Sequence, residues 1–292
     1  MQIRATRVVH ALLAASLLIA PGLKAQGGSA KPESFAVIQK EYEDASKAWM
    51  ASYRAASKSG ADRETISKLR ADRPNAKAYV GRIRAIVMAD ASGEDAGAAA
   101  AWMITRGRAG GADLGFALGV LSEHHMGSDH ATGVMSSLSR NPAPAVTAFL
   151  EKAVKSADGD GLAMALMSSA EQLKSASNTA RRLAAGAEAD LTRYTGLYGK
   201  EAVDVLRSAD ADAMEQRSLK LYDRILADEA LSAVEYRRKT LGDAAKGAIF
   251  ELRNLSIGKV APDIIGEDLD GTPMKLSDYR GKVVVIDFWG DW

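Results

Sequence analysis

Val283-Val284-Val285-Ile286-Asp287-Phe288-Trp289-Gly290-Asp291-Trp292 stands at the end of the 292-residue sequence. Its first seven residues are a continuous β-branched and aromatic run, the pattern of a strand buried on both faces. Just before it, Lys275-Leu276-Ser277-Asp278-Tyr279-Arg280-Gly281 reads as a short helical turn, opened by Ser277 and stopped by Gly281. Upstream of that, Asp268-Leu269-Asp270-Gly271-Thr272 is a hairpin signal. Pro262, in Ile257-Gly258-Lys259-Val260-Ala261-Pro262-Asp263-Ile264, resists helix. The texture changes near Leu252–Ile257, so residues 252–292 form one segment and what precedes them another.

The preceding segment, residues 33–251, is patterned as helix almost throughout. Phe35, Ile38, Tyr42, Ala45 and Trp49 recur at steps of three and four and mark one helix face. Leu114, Ala117, Leu118 and Leu121 repeat the pattern. So do Val146, Phe149, Leu150 and Val154, then Ala163, Leu166, Met167, Ala170 and Leu173, then Leu219, Tyr222, Ile225 and Leu226. Abundant alanine favours helix and close packing. Arg106-Gly107, Gly110-Gly111, Asn141-Pro142-Ala143-Pro144 and Ala157-Asp158-Gly159-Asp160-Gly161 supply the breaks, with Pro144 placed where a new helix accepts it. The expected fold is mainly α, made of helical hairpins in a bundle or repeat-like array, followed by the N-terminal part of an α/β domain. Leu114–His125 and Leu162–Leu173 are similar in pattern and offset by about one helical repeat, which keeps the repeat reading open beside the irregular bundle.

Residues 1–25 read as a secretory signal peptide. Arg4 and Arg7 precede an apolar run from Val8 to Ala20, Pro21-Gly22 breaks it, and Ala25 offers a small residue for cleavage. The run is shorter than the ~20 residues a spanning helix needs. Residues 26–32 read as a linker. The expected location is therefore the periplasm or cell envelope, with no membrane contact beyond the signal peptide. The whole chain has a formal charge of +1. Without residues 1–25 it has 35 basic and 37 acidic residues. That balance gives no electrostatic case for a nucleic-acid partner. There is no cysteine, so neither a disulfide nor thiol chemistry is available to these residues.

Three stretches together resemble the N-terminal part of the TlpA-type thiol–disulfide oxidoreductases, within the redoxin and AhpC/TSA superfamily. They are Gly258-Lys259-Val260-Ala261-Pro262-Asp263, Leu276-Ser277-Asp278-Tyr279-Arg280-Gly281-Lys282 and the closing Val283–Trp292, in the family's order and spacing. The resemblance implies a thioredoxin-like domain acting on protein or small-molecule disulfides and thiols, with no cofactor and no metal. It implies that Asp287 matches the acid thioredoxins bury beneath the resolving cysteine. A carboxyl group in apolar surroundings has its charged form disfavoured and can exchange a proton with a thiol. It implies that Trp289 and Trp292 flank the position of the nucleophile, which in this family is the residue after the second tryptophan. On that reading the domain is truncated before its C-x-x-C motif. A selenocysteine codon misread as a stop, a nonsense mutation and a clipped gene are all accounts of that ending, and the DNA past codon 292 distinguishes them. Thr240-Leu241-Gly242-Asp243-Ala244-Ala245-Lys246 and Ile249–Leu255 resemble the region before the redoxin domain in large exported redoxins of planctomycete type. Two other functions stay open: a peroxiredoxin-like peroxide reductase of the same superfamily, and a non-catalytic helical binding or assembly module.

Weaker signals have plainer readings. His124, His125 and His130, with Glu123 and Asp129 nearby, read as helix-end residues rather than as a metal set. Asp158-Gly159-Asp160-Gly161 lacks the later ligands of a calcium loop and reads as a turn. Tyr236-Arg237-Arg238-Lys239 reads as a solvated helix face. Asn254-Leu255-Ser256 is formally a glycosylation sequon.

Overall fold

The structure, a computed structural model, describes residues 33–256 and 259–290. The chain divides into two units, Met1–Glu33 and Ser34–Trp292, and all that follows concerns the second. The proposed signal peptide and linker, Ile257-Gly258, and Asp291-Trp292 lie outside the described residues.

Thirteen α-helices are present among the described residues. They are α1 (Phe35–Lys58), α2 (Arg63–Ala71), α3 (Val80–Ala89), α4 (Ala96–Thr105), α5 (Gly111–His124), α6 (Asp129–Leu138), α7 (Pro144–Ser156), α8 (Gly159–Ala184), α9 (Glu188–Tyr198), α10 (Lys200–Arg207), α11 (Ala211–Leu226), α12 (Glu229–Ala233) and α13 (Leu241–Asn254). The fold is mainly α, as the periodicity predicts. Side-chain caps set several helix starts: the Asp62, Asp210 and Asp228 carboxylates accept from the Thr65, Ala213 and Leu231 amides, and the Thr240 hydroxyl accepts from Asp243. Pro144 opens α7 in its first turn, where its missing N–H costs nothing.

The 26-residue α8 is the spine of the bundle. Buried apolar residues form three clusters, and α8 contributes to all of them. Ala165 joins the cluster of α1 and α3–α7. Leu166, Met167 and Ala170 join that of α11–α13. Ala176 and Leu183 join that of α9 and α10. Polar contacts tie the neighbours to the spine. The Ser218 hydroxyl of α11 donates to the Ala170 carbonyl at 2.7 Å, and the Gln172 amide donates to Thr147 of α7 at 3.0 Å. The Arg181 guanidinium reaches both Asp212 and the buried Glu215 at 2.7 Å. The two stretches that kept a repeat open differ in role: Leu114–His125 lies in a 14-residue peripheral helix and its extension, and Leu162–Leu173 is half of the central spine. One helix serving three cores makes this an irregular bundle rather than a repeat array.

The segment around Tyr236 corrects the expected helix face. Glu235–Tyr236 (β1) and Lys239–Thr240 (β2) form a tight antiparallel hairpin, turned by Arg237 at φ 48° and Arg238 at φ 71°. Two successive positive φ values are the pattern of a type I′ turn, which normally takes Asn-Gly. Two arginines hide that signal. The turn allows Tyr236 to bury its ring, with Arg237 4.8 Å above it, and to donate its hydroxyl to Glu171 at 3.0 Å. Left-handed backbone costs an ordinary residue ~1–2 kcal/mol. The double substitution R237N/R238G is therefore expected to raise stability by about 1–2 kcal/mol. An unchanged or lower urea midpoint would show that the arginine side chains repay the strain.

Burial, reinforced by Glu171, pushes the Tyr236 phenol up to about 12. The fold thus favours the neutral phenol. Its stabilising effect is complete below the unfolded value of about 10 and is lost as pH rises through about 12. Urea midpoints between pH 10 and 12 should fall more steeply for the wild-type chain than for Tyr236→Phe. Parallel curves would refute this linkage.

α13 runs to Asn254 and buries Leu252. From residue 259 to 290 no residue is buried.

Candidate functional site

The candidate site is the segment 259–290, and its organising residue is Asp263. Ile265–Glu267 (β3) pairs antiparallel with Pro273–Lys275 (β4), with Ile265 opposite Lys275 and Glu267 opposite Pro273. The turn between them forms as the sequence predicts. The Asp268 carboxylate accepts from the Asp270 and Thr272 amides at 2.9 and 2.8 Å, and Gly271 takes φ 79°, a value that glycine adopts without strain. The hairpin brings Ser277 back to Asp263. One carboxylate oxygen of Asp263 accepts the Ser277 amide at 2.8 Å, and the other accepts its hydroxyl at 2.8 Å. The Leu276 amide adds a bond to the Ile264 carbonyl at 2.9 Å.

Leu276–Tyr279 is a 3₁₀ turn followed by Gly281 at φ 83°. Ser277 was expected to open this turn. It sits inside it instead, because its hydroxyl is engaged by Asp263, and the Lys275 amide is bound by Asp278 at 3.1 Å. The Ser277 side chain and amide, which donate to it, hold the Asp263 carboxyl below its usual range. The charged form is thus the one the contact favours. The contact is complete above a pH of about 4 and is lost as pH falls through the lowered value. The Ser277 amide proton resonance should move with a midpoint below that of an ordinary aspartate, and Asp263→Ala should abolish that transition. A midpoint at the ordinary carboxylate value would contradict it.

The third motif stretch behaves differently. Val283–Gly290 leaves the 3₁₀ turn without joining a ladder among the described residues, where the only sheets are β1–β2 and β3–β4. Val283 and Val285 are 97% and 91% exposed, whereas Val284 and Ile286 are 42% and 46% exposed. The alternation ends at Phe288 and Trp289, which are 84% and 82% exposed. The expected burial on both faces is not present. A strand needs neighbours on both edges and layers on both faces to bury itself, and residues 259–290 supply one two-stranded hairpin. Asp287 is exposed, and Trp289 is 82% exposed. Trp292 lies outside the described residues. The structure therefore joins the first two motif stretches through Asp263 and Ser277, but does not gather Asp287 and Trp289 into an enclosed site. Sequence reasoning missed the Asp263–Ser277 contact, because its partners are 14 positions apart and meet only through the hairpin.

The His125 ring nitrogen Nε2 lies 3.0 Å from the Ala91 carbonyl. The His125 and His130 rings close around Gly97, where an added Cβ would sit 3.1–3.2 Å from them. Among the described residues no group of three or more His, Asp or Glu side chains is placed to hold a metal. Asp158 stands at the start of α8. No helix of the described residues is long and apolar enough to cross a membrane.

The described residues thus form a helical bundle followed by a hairpin, a 3₁₀ turn and an apolar stretch, and the sequence holds no cysteine. Comparison with known proteins finds short stretches of similarity to thiol-disulfide oxidoreductases. The chain is 47% identical over 38 residues to thiol-disulfide oxidoreductase ResA of Geobacillus thermodenitrificans, covering 13% of this chain and 22% of that protein. It is 50% identical over 38 residues to ResA of Geobacillus kaustophilus, with the same coverage. It is 40% identical over 53 residues to ResA of Bacillus subtilis, covering 18% of this chain and 30% of that protein. The chain thus spans between a fifth and a third of the length of these curated relatives. No protein-family model matches the chain, and no solved structure matches it.

Proposed function

We propose that this chain is an exported protein whose C-terminal segment, residues 252–292, is the opening part of a TlpA-type thiol–disulfide oxidoreductase domain. The observation that carries the reading is the short, high-identity similarity to thiol-disulfide oxidoreductases, of about the length of that segment. The three motif stretches in family order and the Asp263–Ser277 contact between two of them support the same assignment. That these relatives are thiol-disulfide oxidoreductases favours disulfide exchange over peroxide reduction.

In the complete reaction a thiolate attacks a substrate disulfide. One substrate sulfur leaves as a thiolate and takes a proton, and a mixed disulfide remains. A second cysteine attacks that bond, which releases the reduced substrate and leaves the protein oxidised. Residues 1–292 hold neither sulfur. What they contribute is Asp287 as proton acceptor, once covering strands desolvate it, and Trp289 and Trp292 as walls beside the nucleophile.

Insulin disulfide reduction tests the proposal. The 292-residue chain should show none. A chain extended through C-x-x-C and the remaining thioredoxin-like elements should be active. An extended chain that folds, shown by protection of Val283–Trp289 from hydrogen exchange, and yet reduces no disulfide would refute the assignment.

A further inference from the structure

The surface groove between the end of α4 and the loop before α3 has an unbalanced charge. It measures about 400 Å³ and is lined by Arg73, Lys77, Arg106 and Arg108, with Asn75 and Tyr42. No carboxylate lines it. None of the four cations has an ion-pair partner among the described residues. The chain as a whole carries 38 basic and 37 acidic residues, so four cations to no acid is a local departure and not a general excess.

Helix electrostatics accounts for three of the four cations but not for Lys77. Arg106 and Arg108 follow the C-terminus of α4, where a cation is favoured. Arg73 follows the C-terminus of α2, where a cation is likewise favoured, whereas Lys77 lies on the N-terminal approach to α3, where the dipole opposes one. Like charges converging in a concavity repel one another and concentrate the potential for an anion.

Some of the wall residues have fixed neighbours. The Arg73 guanidinium lies 5.4 Å from the centre of the Trp49 ring, and the Trp49 indole N–H is fixed on the Leu69 carbonyl at 2.6 Å. The Asn75 side-chain oxygen accepts the Lys77 amide at 3.0 Å, which leaves its NH₂ as a donor. Gly107 is buried between the two arginines, and an added Cβ there would lie 2.5 Å from Val80 Cγ2. Arg108 is held at φ 48°, a left-handed conformation that an arginine adopts at a cost.

We propose that this groove binds a compact phosphate-bearing polyanion, such as an inorganic oligophosphate or a small phosphate ester. Arginine forks match phosphate oxygens in pairs, and three arginines with one lysine suit a ligand of several charges. The groove's size admits a small molecule. This inference concerns the helical bundle and does not depend on the redox reading.

Inorganic tripolyphosphate titrated calorimetrically into the 292-residue chain is the direct probe. It should bind at one site, and raising the salt from about 0.05 to about 0.3 M should weaken it several-fold, as screening requires. R106Q/R108G should lose at least about tenfold in affinity while the melting midpoint holds or rises, because glycine relieves the left-handed strain at 108. Lys77→Gln, on the opposite wall, should weaken binding in the same direction. R237Q/R238Q, at the other arginine turn, should leave it unchanged. Absence of saturable binding, an equal loss in the R237Q/R238Q control, or tighter binding of a single-stranded oligonucleotide than of tripolyphosphate would each overturn the proposal.

Discussion

Leu166→Ala is expected to lower the unfolding free energy by about 3 kcal/mol, within the ~2–5 kcal/mol range of fully buried leucines. Leu166 is fully buried on α8 in the cluster shared with Leu219, Tyr222 and Ile225 of α11 and with Leu241 and Ala245 of α13. Truncation removes apolar contact from several helices at once, and the walls are rigid helices that collapse poorly onto a cavity. For a helical region of this size the melting midpoint should drop by roughly 10 °C. Urea denaturation followed by helical circular dichroism measures it. A loss below about 1 kcal/mol would mean that α8 is not the common spine described above.

Gly107→Ala should cost a similar amount, about 2–4 kcal/mol, for the opposite reason. The new Cβ would meet Val80 Cγ2 at 2.5 Å and the Met103 carbonyl oxygen at 2.8 Å. Real Cβ atoms do not tolerate either distance. Val80 is 3% exposed and β-branched, so it has no free rotamer to retreat to. The Met103 carbonyl is engaged by the Ala109 amide at 2.9 Å. Neither neighbour can give way cheaply, so the turn after α4 should loosen. The same denaturation experiment reads it. Stability equal to wild type would show that the turn can reorganise without loss.

The sequence carried the helical half well. Every apolar stripe read from it lies on a helix, and its leading residues, such as Ile38, Leu118, Phe149 and Leu166, are buried. Capping aspartates and Pro144 stand where their chemistry requires. These are local signals, set by a period of 3.6 residues and by backbone groups within a turn. The hairpin at Tyr236 was not legible, because its turn uses Arg237-Arg238 in place of Asn-Gly. The role of Ser277 was misread, because its partner Asp263 comes close only after β3 and β4 pair.

For the candidate site the division is sharper. The sequence by itself determined the redox resemblance, through the order and spacing of three stretches, and determined that residues 1–292 hold no thiol. It could place Asp287 and Trp289 in a motif, but not in an environment. Burial is a property of neighbours, and only the tertiary structure decided that Val283–Trp289 has no buried residue here. Tertiary structure alone also decided that α8 serves three cores and that Arg73 and Lys77 share a groove with Arg106 and Arg108. Such groupings join residues some 30 positions apart, and no local period records them.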